Sequence, residues 1–435
     1  MKLKCENIGK LSSAEVEINT LTLIAGLNAT GKSTVGKLLY CIFNSFYRFE
    51  ENAERTLKRF LKNLFLGALF PPKNCDDCIE ELYKLRFSQD RDLIKKTIHD
   101  FYSDRFPDNK FLRKKNEQLI DRIIEQLIDR IVELLNLTDD EIYKRILQTK
   151  FMSEFGNQIQ NIFSEKKKAS VILSIKDNDI SVAIRNDEIY GLKNFQNLQT
   201  EVIYIDDPFV LDNLSTHRSN IFTRRNHKVH LHKKLVSNII NGTDMDIAIK
   251  EILATKQLDA IYELIDSVCN GNIVQETKDT FVFQYEKSKK RLDIVNLSTG
   301  LKTFSIIKTL LMNGALEQNG VIILDEPEIH LHPAWQKLFA EIIVLLQVKF
   351  NMHILLNSHS PYFINAIDLY AKKYKIRETC KFYLTRDTDD THTVSELVDV
   401  SDNIEEINKL LFTPLQEMED ERSEIEDAMS GENDD

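Results

Sequence analysis

No stretch of this 435-residue chain approaches the ~18 consecutive apolar residues that a membrane-spanning helix needs, so a helical span is not expected. Cysteine is scarce: six residues scattered along the length speak against a disulfide framework and for a reducing compartment. The opening residues, MKLKCENIGK, lack the apolar core of a signal peptide, and a cytoplasmic location is expected. An excess of basic charge is also missing. Lys and Arg number 57 against 68 Asp and Glu, a formal net charge of −11, which at face value argues against nucleic acid as a partner. The distribution weakens that argument. Residues 417–435 hold ten acids and one base, Arg422, so −9 of the charge sits in a tail expected to be solvated and frayed. Conversely, 213–243 contains no acid, but six Lys or Arg and His217, His227, His230 and His232. Arg224, Arg225, Lys233 and Lys234 are therefore candidates for a local nucleic-acid contact, the alternative being a solvated loop and helix face.

What is present is an ordinary globular composition, 42% apolar and 29% charged, long enough for one large or two to three modest domains. Strand-like segments separated by helical ones predict an α/β fold with a mostly parallel, helix-covered sheet. The expected organisation is an N-terminal core piece (1–47), a charged helical insertion (48–150), a β subdomain (151–211) with a hairpin turning at Asp177–Asp179, and a helical basic segment (212–275). A C-terminal core piece (276–412) and the acidic tail (413–435) complete it. Within the insertion, EQLIDRI occurs twice, and Ile120, Ile124, Leu127, Ile131 and Leu134 recur at 4-3-4-3 spacing, predicting a helix over 113–137 packed in a helical subdomain. Cys75 and Cys78 form half of a zinc motif without a second pair nearby.

The strongest motif is GLNATGKST (Gly26, Leu27, Asn28, Ala29, Thr30, Gly31, Lys32, Ser33, Thr34), placed after a predicted strand and opening a predicted helix. Glycines let the backbone turn tightly and aim N–H groups at phosphate oxygens, and the helix N-terminus favours an anion. Lys32 is placed to reach the β- and γ-phosphates, and Ser33 to ligate Mg2+. Downstream, GVIILDEP ends an apolar strand on Asp325, a Mg2+ ligand candidate, and Glu326, a candidate to orient or deprotonate water. NSHSP ends another strand on Ser358 and His359, the latter a candidate contact to the γ-phosphate. LSTGLK opens a helix with Ser298 and Gly300, an anion-friendly start. Read alone, these last three are a strand-to-turn junction, a surface histidine and a generic cap.

Taken in order, the phosphate loop, LSTG, LDEP and SHS resemble the P-loop ATPases of the ABC type, in the AAA-family branch with SMC, RecF and OLD-like proteins. LDEPEIHLHPAWQ looks most like the antiphage-defence ATPases of the Septu and PARIS kind. The specific likeness covers roughly 1–45 and 280–365. It implies a homodimer sandwiching two Mg·ATP, each held by Gly26–Thr34, Asp325 and Glu326 of one protomer and capped by Ser298 and Gly300 of the other, with His359 as the switch histidine. Two departures stand out. Asp206 and Asp207 occupy the place of a Gln found in transporter cassettes, and His330 and His332 follow LDEP where transporters carry an Asp. Both speak against a transport subunit. Three functions follow as expectations: hydrolysis that switches a partner or separate effector, a slowly hydrolysing ATP-gated scaffold for an effector nuclease, and, disfavoured, a transporter subunit. Asp387 and Asp389 of RDTDD are read as a turn, not as a nuclease pair.

Overall fold

The computed structural model describes residues 1–66, 75–88, 90–105, 117–214, 226–241, 258–277, 280–388 and 391–431. The chain divides into two compact units, one of residues 1–44, 147–196 and 200–435, the other of 45–146 with 197–199. Arg113–Asn116, Arg224, Arg225 and Asp389 lie outside the described residues.

The elements run β1 (Lys2–Ile8), β2 (Leu11–Glu17), β3 (Leu21–Ala25), α1 (Lys32–Phe46), α2 (Phe49–Leu66), α3 (Asp76–Lys84), α4 (Arg91–Arg105), α5 (Glu117–Leu135) and α6 (Asp139–Phe155). Strands β4 (Lys168–Ile175), β5 (Asn178–Arg185), β6 (Glu188–Lys193) and β7 (Val202–Ile205) follow, then α7 (His227–Asn241) and a helical stretch, α8, at 258–268. The remainder comprises β8 (Gly271–Thr277), β9 (Thr280–Tyr285), β10 (Arg291–Asp293), α9 (Thr299–Met312), β11 (Val321–Asp325), α10 (Pro333–Phe350), β12 (His353–Ser358), α11 (Pro361–Lys373), β13 (Lys381–Asp387), β14 (Ser395–Asp399) and α12 (Glu405–Gly431).

One eleven-stranded sheet, in the order β6-β5-β4-β1-β2-β14-β13-β3-β12-β11-β7, carries the first unit, and β10-β9-β8 form a separate antiparallel sheet. Strands β13, β3, β12, β11 and β7 are mutually parallel, whereas β6, β5, β4, β1 and β2 are antiparallel neighbours. The α/β P-loop fold expected from the sequence is thus present, with its parallel and antiparallel parts fused in one sheet. Burial follows from the pairing. LTLIA, VIILD and VIYI are buried at every position because parallel strands are covered on both faces, while β1, β2 and β5 alternate because one face meets solvent. Phe304, Phe339 and Phe363 pack ring to ring, joining α9, α10 and α11 in the core over the parallel strands.

Three details differ from the sequence reading. The expected hairpin over 170–192 is a three-stranded meander, with a second turn at Asn186 and Asp187, both in the left-handed region. In α5 the buried stripe is Ile128, Ile131 and Leu135, with Leu127 and Leu134 half-buried, because a helix packed among several others buries a broader face than a coiled-coil seam. The acidic tail is not frayed through 413–431: α12 runs to Gly431, with residues 413–426 exposed. Cys75 and Cys78 are buried in the second unit's core beside Phe65, Ile79 and Leu82, and among the described residues no three or more His, Cys, Asp and Glu side chains cluster to hold a metal ion between them. No described helix is long and apolar enough to cross a membrane.

Candidate nucleotide site

In a parallel sheet, loops at the carboxyl ends of neighbouring strands converge, and ligand sites form there. Register brings five such ends together. Ala25 pairs with Ser358 and Leu384, Asp325 pairs with Asn357, and Leu324 pairs with Ile205, so the phosphate loop, Glu326, His359, Thr385 and Asp206 emerge along one edge.

The loop 26–31 turns on positive φ at Gly26, Ala29 and Gly31. A Cβ at Gly26 would lie 1.8 Å from Thr385 Oγ1, so only glycine fits, and Thr385 Oγ1 is 2.6 Å from Thr30 Oγ1. Helix α1 begins at Lys32, leaving the first N–H groups of the helix facing the loop. Lys32 is 4% exposed and its Nζ donates to the carbonyls of Gly26 and Leu27 at 3.1 and 2.8 Å. The same Nζ lies 3.4 Å from Glu326 Oε1. Ser33 is half-buried and Thr34 buried at the helix start, and Leu27, Asn28 and Ala29 are exposed at the tip.

Asp325 is buried and accepts from Tyr204 OH at 2.7 Å and Asn357 Nδ2 at 2.9 Å. Each oxygen keeps a free lone pair, so the residue remains able to serve a cation. Glu326 adopts φ 50°, a left-handed conformation uncommon for a residue with a side chain, held by its N–H donating to Asn357 O at 2.9 Å. This turn aims the carboxylate back at Lys32 and at His359, whose Nδ1 is 3.2 Å from Glu326 Oε1. Asn28, Ala29, Glu326, Glu328, His359 and Ser360 share a cleft of about 670 Å³.

Asp206 and Asp207, at the end of β7, face a second cleft of about 340 Å³ together with Lys228, Asp325 and Glu326. Behind them is a buried charge network. His227 donates its backbone N–H to Glu154 at 2.7 Å; its ring lies 2.6 Å from Glu154 Oε2 and 2.9 Å from Asp206 Oδ2. Burial disfavours the charged imidazolium, but the Asp206 and Glu154 carboxylates outweigh it and push the ring up to about 9. The ring also stacks on Tyr204 with centroids 4.4 Å apart, connecting it to Asp325. His227 is therefore an interior cation, not a surface ligand. Among the described residues of the basic stretch, Lys228 pairs with Asp206 and Asp207, and Lys234 and His230 pair with Glu201, whereas Lys233 is exposed.

Ser298 is exposed at the N-cap of α9 and makes no side-chain capping bond. Gly300 is buried, where a Cβ would meet Trp335 at 2.8 Å, so glycine permits the indole to close on the helix start. Among the described residues no hydrogen bond or ion pair joins Ser298 or Gly300 to the phosphate loop of the same chain. His332 caps α10 by accepting from Ala334 N, and His330 meets Phe209 edge-on. Asp387 ends β13, bound to Ser395 and His392. Tyr204, Asn357, Thr385, Glu154 and Glu328 escaped the sequence reading. The signal available for the first three was their position at the ends of strands that turn out to neighbour the phosphate loop.

Residues 21–365 match the family described as "AAA domain, putative AbiEii toxin, Type IV TA system". Over 121 residues the chain is 29% identical to the Retron Ec83 probable ATPase of Escherichia coli, covering 25% of this chain and 21% of that one. It is 27% identical over 121 residues to the Retron Vc95 probable ATPase of Vibrio cholerae serotype O1 biovar El Tor, covering 22% and 23%. The matched stretch thus spans about a fifth of the length of these relatives. Among solved structures, the SMC head bound to the C-winged helix domain of ScpA aligns over 92% of this chain and 96% of that one, at 11% identity and a TM-score of 0.41. With the family match running from β3 into α11, over most of its length, the chain belongs to this AAA-domain family.

Proposed function

We propose that this protein binds Mg·ATP at the loop 26–34 and hydrolyses it, using the cycle to switch a partner, in the antiphage-defence setting to which the retron relatives point. The observation that carries this is the convergence of Lys32, Glu326 and His359, within 3.2–3.4 Å of one carboxylate oxygen, beside a glycine-walled phosphate loop. The residues present fit the substrate and its metal. Gly26 and Gly31 turn the loop on positive φ close against Thr385 and Leu11, and Ser33 and Asp325 offer oxygen donors suited to Mg2+. Mg2+, when bound, would neutralise charge on the phosphates. Lys32 now satisfies loop carbonyls and would exchange them for phosphate oxygens. Glu326, already turned toward the cleft, would orient water or accept its proton, while His359 holds the same carboxylate from the other side.

Ser298, exposed at the N-terminus of α9 and making no capping bond of its own, supports a dimer in which each α9 caps the partner's nucleotide. Glu326→Gln preserves shape and removes the base. The expected outcome is turnover reduced by about 10² or more with ATP affinity within about threefold of wild type. Unchanged steady-state phosphate release would refute the role of Glu326, and a wild type that binds ATP without turnover would favour an ATP-gated scaffold.

A further inference from the structure

The acidic turn carries a second carboxyl. Glu328 stands two residues after Glu326 and is 1% exposed. Its Oε1 accepts from Ser358 Oγ at 2.5 Å, whereas Oε2 is buried and has no hydrogen-bond partner among the described residues, although the residue lines the cleft shared by Glu326 and His359. Ser358 Oγ in turn accepts the Ser360 N–H at 3.1 Å, and Ser360 Oγ donates to Gln336 Oε1 at 2.8 Å. Gln336 Nε2 returns to the carbonyl of Leu331 at 3.1 Å, closing a chain of bonds from the acidic turn to the start of α11 and back. Both neighbours of His359 in sequence are anchored in that chain.

We propose that Glu328 is a positioning residue for the candidate hydrolytic site: anchored on Ser358, with its second oxygen buried behind the cleft wall, it fixes the segment carrying His359. The inference rests on the proposed roles of Glu326 and His359. Two facts set the chemistry of that oxygen. An ionised carboxylate at this depth has one hydrogen bond against the cost of losing water, and Glu326 adds a like charge. Burial first, and then Glu326, raise the Glu328 carboxyl above its ordinary value, against the opposing pull of Ser358 and His359. The charged groups around it are thus Glu326 on its own turn, His359 at the β12–α11 junction and Lys32 at the start of α1, beyond Glu326.

Three variants of the full-length protein test this, with Mg·ATP as the probe: Glu328→Ala, Glu328→Gln and, as the control for hydrolysis, Glu326→Gln. The expected result is that Glu328→Ala loses tenfold or more in kcat with KM changed less than about threefold, and that Glu328→Gln recovers most of the turnover because the amide oxygen can still accept the Ser358 bond without adding a charge. A second readout needs no nucleotide. With its folded-state value raised, Glu328 contributes stability that is present below about pH 4.5 and lost as pH rises through that raised value. Glutamine cannot ionise, so the melting temperature of Glu328→Gln should exceed that of wild type by more at pH 8 than at pH 5. Wild-type kcat in Glu328→Ala, or equal damage in both Glu328 variants, would overturn the positioning role. A pH-independent gap in melting temperature would overturn the raised carboxyl. A wild type as inactive as Glu326→Gln would instead remove the hydrolytic reading alone, and the melting comparison would still decide the state of Glu328.

Discussion

At the scale of single residues, buried charge is the most demanding feature of this site. His227 is 5% exposed between Glu154 and Asp206, with Glu154 buried as deeply, and the arrangement is tolerable only while the ring is protonated. Its folded-state value, raised from 6.5 to about 9, gives the sign of the pH dependence: the stabilisation is complete below about pH 6.5 and is lost as pH rises through about 9. The full swing is about 3 kcal/mol. Chemical denaturation of the wild type should therefore show stability falling between these limits, and His227→Gln should flatten that fall. The same substitution strands two carboxylates and should cost roughly 3–5 kcal/mol at pH 7, measured by urea unfolding. An unaltered pH profile in the variant would count against the buried ion triad.

At the scale of elements, helices in this molecule are fixed by close approach. In α1, a Cβ at Gly36 would lie 3.0 Å from Ile323 Cγ2 of β11, which sets the helix on the sheet and with it the Lys32 end. On α9, Gly300 serves Trp335, and buried Lys302 pairs with Asp212 at 2.5 Å, tying the start of α9 to the segment just after Asp206 and Asp207. The second unit has its own apolar core, in which Ile131 of α5 is fully buried beside Leu61, Ile79 and Ile94. Ile131→Ala removes three methyl or methylene groups from that core and should cost about 2–5 kcal/mol. Amide hydrogen exchange should register the loss across α2–α5. A variant whose protection matches wild type in those helices would show that the core tolerates the cavity.

For the whole molecule, the decisive question is how many protomers make one site. If Ser298 completes the partner's nucleotide pocket, Lys32→Ala and Ser298→Arg should each be inactive alone. Mixing them should restore up to about a quarter of wild-type turnover, because a random mixture contains half heterodimers and each has one intact site. Phosphate release from the mixture at constant total protein measures this, and inactivity at every ratio would refute the shared site. Of the net charge of −11, −9 sits in residues 417–435, so it bears on solubility and non-specific contacts, and the local field at the candidate site is set by the charged groups that line it, Lys32, Asp206, Asp207, Lys228, Asp325, Glu326 and Glu328 among them.

The phosphate loop, the acidic strand end and the histidine strand end were legible in the chain because each is a local pattern: an apolar run fixes a strand, and the residues following it must lie at its end. The α/β class and the buried character of the parallel strands followed from the same periodicity. Tertiary structure alone decided which strand ends are neighbours. Thr385 reaches Gly26 from 359 positions away because β13 pairs with β3, and Tyr204 meets Asp325 because β7 pairs with β11. It also decided protonation. His227 in a basic, acid-free stretch reads as a surface cation until Glu154 and Asp206 close around it, and Glu328 reads as one more acid of a polar turn until burial leaves it a single partner. Local sequence carries covalent neighbours, whereas charge state depends on solvent exclusion and on groups brought together by the sheet.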